Sequence, residues 1–264
     1  MSNKVCPIDS VEMEYKFSAR MLSKHDVAFF QCPCCSLLQT EEPYWLKDAY
    51  VQAYTDMDTG LAARNFFNRF RVEPVLNLLF KCQGEYLDVG GGYGLFTRLM
   101  RDIGISCFST DKYCENFFAR TFNPRPNFKA TALFAFEVFE HLPDPVTFLV
   151  DNFSKYHCKT IIFSTETLPE HMPSKEWPYY GFPHGQHITF YSSDSLRQLA
   201  AHFGCTYLHL FSDFHFISDR NVTFIERLIL RSRPLFLLYA ALVRIKRWRL
   251  SFTHSDASLL TEGT

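Results

Sequence analysis

Leu87-Asp88-Val89-Gly90-Gly91-Gly92-Tyr93-Gly94-Leu95-Phe96 packs four of the chain's eleven glycines into five positions, where a short apolar strand gives way to a helix. In a parallel α/β sheet this first turn lies at the carboxyl end of the strand, where ligands bind, and glycine lets the backbone approach a bound molecule closely. The order is strand, Gly-x-Gly-x-Gly, helix. A dinucleotide fingerprint would place Gly or Ala at its sixth position, but Leu95 stands there, which disfavours pyrophosphate binding. No Gly-Lys-Ser/Thr follows, and that excludes a P-loop.

Working outward, Asp111 stands at the end of a second predicted strand, in Phe108-Ser109-Thr110-Asp111, 23 positions beyond Asp88. An acid at that spacing can accept the ribose hydroxyls of a bound nucleoside. Strand-like runs at 85–89, 105–110, 131–137 and 159–165 alternate with helical patterns at 94–103, 112–120, 144–156 and 193–203, the last with Ser192, Ser193 and Asp194 as capping residues. A late pair at 205–211 and 214–218 reads as a hairpin. Such alternation predicts an α/β domain with a largely parallel sheet.

The stretch Leu87 to Gly94 resembles motif I of the class I S-adenosylmethionine-dependent methyltransferases. Phe136-Glu137-Val138-Phe139-Glu140-His141-Leu142-Pro143-Asp144-Pro145 resembles the fourth-strand motif of that superfamily, E-V-x-E-H-L-x-D-P. The resemblance spans about residues 60–218. It implies a Rossmann-like seven-stranded sheet with helices on both faces and a closing antiparallel hairpin. It also implies S-adenosylmethionine as cofactor, with Gly90 and Gly92 against its methionine part, Asp111 on the ribose, the backbone near Glu137 on the amino group and Asp88 orienting the turn. Members usually carry a polar residue after the third strand to hold adenine. The segment Arg120-Thr121-Phe122-Asn123-Pro124-Arg125-Pro126 offers none clearly, which leaves Phe122 or Phe134 to stack on the base. Glu140 and His141 read as fixing the loop after the strand rather than as an acid/base pair.

After Ser164 come 29 residues without a helical pattern, 165–193, rich in rings: Trp177, Tyr179, Tyr180, Phe182, His184, His187, Phe190 and Tyr191. Loops of this length are usually functional or disordered, and no Asp, Glu, Lys or Arg stands between Trp177 and Ser193, so this one should pack over the site. The pattern E-W-x-Y-Y followed by H-G-Q-H-I-x-F-Y-S resembles a methyltransferase subgroup found in sugar and polysaccharide pathways. Methyl transfer to a hydroxyl or activated carbon needs a group to take the acceptor's proton, and histidine suits that near neutral pH. His187 is the first candidate base, His184 the second and Tyr180 the third; holding the loop in place is the competing role for His187. Tyr54 to Asn65 resembles the segment leading into this subgroup's fold, and Arg64 could pair there with the cofactor carboxylate or lie on the surface of an amphipathic helix.

The N-terminus holds Cys6-Pro7-Ile8-Asp9 and then Cys32-Pro33-Cys34-Cys35. A C-x-x-C turn lets two thiolates reach one tetrahedral zinc. The layout resembles the zinc-binding domain preceding some sugar C-methyltransferases, with Asp9 at the position of a fourth cysteine. The expected ligands are Cys6, Asp9, Cys32 and Cys35, with Cys34 or His25 as substitutes, or an unmetallated remnant of the fold.

Composition bounds the rest. The 264 residues are 47% hydrophobic and carry 27 Lys and Arg against 28 Asp and Glu, a net charge of −1, enough apolar content for an ordinary core and no global attraction to nucleic acid. Nine cysteines, an odd count, with no secretory signal, point to reduced thiols in the cytoplasm. The longest uncharged aliphatic run, 234–243, has ten residues, whereas a spanning helix needs about 20. Yet residues 226–250 hold a net +6 interleaved with aliphatic side chains, which suits a helical extension, a homodimer interface or a peripheral contact with an anionic membrane. The organisation expected is a zinc-knuckle-like segment (1–42), a helical lead-in (43–83), a Rossmann-like core (84–218) and a basic helical extension (219–264). The function expected is methyl transfer to a small molecule, a sugar, nucleotide sugar or glycan precursor. An O-methyltransferase of an aromatic or lipid-like acceptor and a cofactor-binding scaffold without activity are the alternatives.

Overall fold

The computed structural model describes residues 4–50, 59–246 and 249–261. In chain order the strands and helices are β1 (Glu14–Met21), β2 (His25–Gln31), β3 (Leu38–Thr40), α1 (Leu46–Ala49), α2 (Leu61–Phe80), β4 (Tyr86–Val89), α3 (Leu95–Arg101), β5 (Cys107–Thr110) and β6 (Ala132–Ala135). They continue as α4 (Pro145–Lys155), β7 (Thr160–Ser164), β8 (Thr189–Phe190), α5 (Ser193–His202), β9 (Thr206–Phe211), β10 (Phe214–Ser218), α6 (Phe224–Arg231), α7 (Arg233–Ile245) and α8 (Thr253–Thr261). The chain divides into two compact units. One comprises Met1–Asp56, Phe136–Ser154 and Ile162–Asp219; the other comprises Met57–Ala135, Lys155–Ile161 and Arg220–Thr264.

In the second unit β4 is buried along its whole length and pairs in parallel with β5 and β6, Asp88 lying opposite Ser109 on one side and Phe134 on the other. A strand covered on both faces reads as an unbroken apolar run, which is why Tyr86, Leu87 and Val89 flank a single acid. The 20-residue helix α2 buries Val72, Val75, Leu76 and Leu79. Two ion pairs fasten the C-terminal residues of this unit: the buried Arg101 meets Asp256 at 2.6 Å and the half-buried Arg249 meets Glu73 at 2.6 Å.

The expected seventh strand is absent among the described residues: the sheet has six, in the order β5-β4-β6-β7-β10-β9. Beside β5 the chain offers Phe122, whose carbonyl accepts from the Ser109 amide at 2.8 Å. Pro124 and Pro126 then follow, and with no N–H to give they cannot extend a ladder. The helix expected at 112–120 is also absent. Side chains capture the backbone there: Asp111 accepts from the amides of Tyr113 and Cys114, and Asn116 both accepts from the Ala119 amide and donates to its carbonyl. Local Asp and Asn bonds of this kind compete with helix formation.

In the first unit β1, β2, β3 and β8 form a four-stranded antiparallel sheet. The first three lie where the sequence shows only weak periodicity. The sheet's core gathers Val27, Phe29, Leu38, Trp45, Tyr180, Ile188 and Phe190. The hairpin of β9 and β10 forms as expected, and Ser192 caps α5, its hydroxyl accepting from the Ser195 amide at 2.9 Å.

Candidate functional site

The glycine turn of the second unit is built from backbone. Gly90 and Gly91 both donate to the Thr110 carbonyl, and the Gly92 amide donates to Asp111 Oδ2 at 2.9 Å. Gly91 is fixed by space: a Cβ there would lie 2.4 Å from Ser109 Oγ and 2.5 Å from Asp88 Oδ2. Gly94 begins α3 with φ +80°, a conformation that strains any residue with a side chain. Asp88 is buried, and that burial, with the nearby Asp111 charge, pushes its carboxyl pKa up to about 8.

Among the described residues Asp111 accepts from three amides, Gly92 on Oδ2 and Tyr113 and Cys114 on Oδ1. A carboxylate has about four acceptor positions, so Oδ2 keeps room for one more donor. A half-buried carboxylate with that remaining capacity, locked to a turn of glycine amides, fits one hydroxyl of a ribose.

The two rings expected to hold the adenine are committed elsewhere. Phe134 is fully buried, stacked on Tyr86 with an interplanar angle of 24°, and Phe122 is covered by the Arg101 guanidinium 3.5 Å from its centroid. Both belong to the core of the unit. Arg64 lies half-buried in the first turn of α2, while 54–58, the start of the lead-in pattern, falls outside the described residues.

The other expected side chains lie in the first unit. Glu137 sits at φ 55°, its amide donating to Ser164 Oγ at 2.9 Å and its Oε1 accepting from the same hydroxyl at 2.8 Å. His184 and His187 are brought together, ring centroids 4.8 Å apart, and His141 joins them 5.1 Å from His187. Tyr180 does not join: it is buried among Phe17, Phe29, Phe182 and Phe190, its hydroxyl donates to the Pro173 carbonyl, and burial pushes its pKa up to about 12.

Hydrogen bonds settle which nitrogen each histidine presents. His187 Nδ1 lies 2.6 Å from the Tyr179 carbonyl and His141 Nδ1 lies 2.9 Å from the Gln186 carbonyl. Carbonyls only accept, so both Nδ1 atoms carry hydrogen, and in the neutral ring Nε2 is then the acceptor. His184 is reversed, its Nδ1 accepting from the Gln186 amide. Burial lowers the His141 pKa to about 4 and keeps it neutral. The buried Glu140 brings a carboxylate oxygen within 4.8 Å of ring nitrogens of His141 and His187. Glu140 and His141 also hold the loop, the Glu140 carbonyl accepting from the Ile188 amide and His141 Nδ1 donating to the Gln186 carbonyl.

At the N-terminus Cys6, Asp9, Cys32 and Cys35 place one donor atom each within 4.8 Å of one another. Cys6 and Cys35 sulfurs lie 3.6 Å apart, and Cys32 Sγ meets Asp9 Oδ2 at 3.1 Å. The amides of Cys34 and Cys35 donate to Cys32 Sγ, but burial, together with the Asp9 carboxylate, pushes its thiol pKa up to about 11. The Cys35 contact lowers the Cys6 thiol to about 7. Of the substitutes, Cys34 is exposed and His25 is paired with Asp48 at 3.0 Å. These donors fit a tetrahedral zinc.

A family model described as "Methyltransferase domain" matches residues 63–210, more than half of the chain. The chain belongs to the methyltransferase-domain family. A search of curated proteins gives no match to this methyltransferase. Solved structures similar to it include magnesium protoporphyrin IX methyltransferase from Synechocystis PCC 6803 with bound SAM, 12% identical, covering 66% of this chain and 90% of that one at a TM-score of 0.40. An O-methyltransferase family 2 protein from Planctomyces limnophilus in complex with apigenin is 17% identical, covering 61% and 59% at a TM-score of 0.44. The plantazolicin methyltransferase BpumL in complex with SAH is 14% identical, covering 75% and 90% at a TM-score of 0.45.

The basic segment of the methyltransferase forms α6, α7 and α8. No described helix is long and apolar enough to cross a membrane. Phe236, Ala240 and Val243 of α7 are buried, whereas Leu237, Leu238, Leu242 and Ile245 are exposed. Arg247 and Trp248 fall outside the described residues.

Proposed function

We propose that the methyltransferase moves the methyl group of S-adenosylmethionine onto a small hydroxylated acceptor of the sugar, nucleotide-sugar or glycan-precursor class. The observation that carries this reading is the glycine turn closed on Asp111, a backbone cradle next to a carboxylate with acceptor capacity to spare. The bound sulfonium supplies an electrophilic methyl group and a neutral thioether leaving group. Gly90 and Gly92 bring main chain against its methionine part, Asp111 holds a ribose hydroxyl, Asp88 supports the turn and the Glu137 backbone meets the amino group. Acceptor activation is assigned to the histidine cluster, with His187 first. Cys6, Asp9, Cys32 and Cys35 hold a structural zinc, for which mixed thiolate and carboxylate donors are suited.

The acceptor class rests on the resemblance of 176–192 to the sugar-pathway subgroup. The rings around His187, with Tyr179 at 4.7 Å, favour an aromatic acceptor as the second reading. The exposed apolar face of α7 with its neighbouring arginines supports a peripheral contact with anionic lipid.

Calorimetry with S-adenosylmethionine and its demethylated product, followed by mass spectrometry of sugar and phenolic acceptors, tests the function. Asp111→Ala should weaken binding of the demethylated product by roughly 10- to 100-fold, the range for a hydrogen bond to a charged group. Absence of binding to wild type would remove the proposal, and binding without turnover on any acceptor would leave a scaffold.

A further inference from the structure

Outside the glycine turn and the cysteine knuckle, one group of side chains has the chemistry of a ligand site. Glu140 ends the fourth-strand motif, His141 follows it, and His187 comes from the ring-rich loop; one carboxylate oxygen and one nitrogen from each ring lie within 4.8 Å of one another. We propose that Glu140, His141 and His187 bind a divalent cation of the zinc, manganese or cobalt type, with positions left open for oxygen atoms of the methyl acceptor. The role of the open positions rests on the methyl-transfer reading above; the cation site itself does not.

Three observations carry it. The first is the donor set. Two imidazoles and a carboxylate suit a borderline cation. With metal–donor bonds of about 2.1 Å, neighbouring donors around a tetrahedral ion stand about 3.4 Å apart, so sub-ångström to ångström movements of side-chain ends close the cluster on an ion. The second is orientation. Metal-bound histidine generally donates its other N–H to a carbonyl or carboxylate, and both rings do so here, His141 to the Gln186 carbonyl and His187 to the Tyr179 carbonyl. The third histidine in the group, His184, is held in the opposite sense by the Gln186 amide and is not a ligand. The third observation is accessibility: Glu140 is buried while His141 and His187 are half-buried, so the ligands are anchored but the cluster is not sealed. Three protein donors leave one position in a tetrahedral site and three in an octahedral one, the arrangement of sites that bind a reactant rather than merely hold a fold together.

This assignment changes the part His187 plays. A lone pair engaged with a cation cannot also receive a proton, so His187 acts as a ligand. The cation then orients the acceptor oxygen and lowers the pKa of a hydroxyl bound to it, so that its proton passes to solvent water while the O–CH3 bond forms and the S–CH3 bond of the cofactor breaks to leave the neutral thioether. A vicinal pair of hydroxyls, as on a sugar, fills two adjacent open positions.

The test uses the full chain, exchanged into Mn²⁺ by dialysis against excess manganese chloride and then gel-filtered. Manganese is oxygen- and nitrogen-loving, so the thiolate cluster does not retain it. The expected result is one Mn²⁺ per chain, with electron spin-echo modulation from two imidazole nitrogens. That readout needs no variant. His141→Ala with His187→Ala should lower manganese affinity by at least tenfold, and Glu140→Gln likewise. Less than a tenth of an equivalent bound to wild type, or bound manganese without imidazole modulation, overturns the proposal. Calorimetry with the demethylated cofactor runs on the same samples: manganese bound without the nucleoside keeps the cation site and removes methyl transfer, and the nucleoside bound without manganese does the reverse.

Discussion

The glycine turn of the second unit and the two donor clusters of the first are built in opposite ways. The turn is made of backbone: its amides answer Thr110 and Asp111 at the end of the next strand, β5. The clusters are made of side chains gathered from distant stretches, Cys6 with Cys35 and Glu140 with His187. A backbone site is damaged by adding an atom, because close approach is what it supplies. A side-chain site is damaged by removing one, because each donor is a large share of the whole.

Removing donors from the cysteine cluster should give the largest effect. Cys32→Ser with Cys35→Ser should abolish zinc retention and lower the midpoint of thermal unfolding by more than about 10 °C, since structural zinc contributes on the order of 10 kcal/mol in small knuckles. Elemental analysis and circular dichroism check it; an unchanged midpoint would show that the sheet stands without metal. Adding one atom to the turn comes next. Gly91→Ala forces a Cβ between Ser109 Oγ and Asp88 Oδ2, and a urea titration should register a loss of about 1–3 kcal/mol. A neutral outcome would mean the turn relaxes as a side-chain site could.

Acidity sharpens the contrast further. Burial and the Asp111 charge raise the Asp88 pKa to about 8, so the folded second unit binds more protons than the unfolded chain between pH 4 and 8. Its contribution is complete below pH 4 and fades as pH rises toward 8. His215 runs the other way. It accepts from the Tyr207 hydroxyl on Nδ1 and donates to the Thr165 carbonyl on Nε2, and burial lowers its pKa to about 4. The unfolded chain therefore binds the extra proton between pH 6.5 and 4, and stability drops as the solution is acidified through that window. Each group contributes a slope of at most about 1.4 kcal/mol per pH unit. Asp88→Asn should flatten the alkaline side of the stability profile and His215→Gln the acidic side, both read from urea midpoints across pH. An Asp88→Asn profile that still falls between pH 5 and 8 with the wild-type slope would contradict the assignment.

What was legible follows the same division. Leu87 to Gly94 and Asp111 declare themselves by spacing because the interactions are local, and the strands and helices of the core follow from alternating periods. The C-x-x-C of Cys32 and Cys35 is likewise a short-range signal, and Cys6 and Asp9 were named with it. The seventh strand failed because it was inferred from kinship, while Pro124 and Pro126 decide the matter locally. Helix 112–120 failed because Asp111 and Asn116 offer the backbone other partners. Strand β1 alternates Phe17, Ala19 and Met21 with Lys16, Ser18 and Arg20, a period of two that was there to be seen. Strand β8, which pairs with β3, is two residues long and lies far along the chain, and no window of sequence reveals that pairing. The meeting of Glu140, His141 and His187 is hidden for the same reason.

The pairing of β3 with β8 has a consequence for the loop that carries His187. The Leu22 amide donates to the Phe182 carbonyl, Lys175 to the Ser18 carbonyl, Trp45 Nε1 to the Gly185 carbonyl and Gln186 to the Ala49 carbonyl. Fixing a residue's backbone costs roughly 1–2 kcal/mol, a heavy charge for so long a stretch, and here the N-terminal strands meet it before any acceptor arrives. The loop is thereby tied to the N-terminal residues at four points along its length. Variation in these N-terminal residues, far in sequence from the histidines, therefore reaches the histidine cluster through these four bonds.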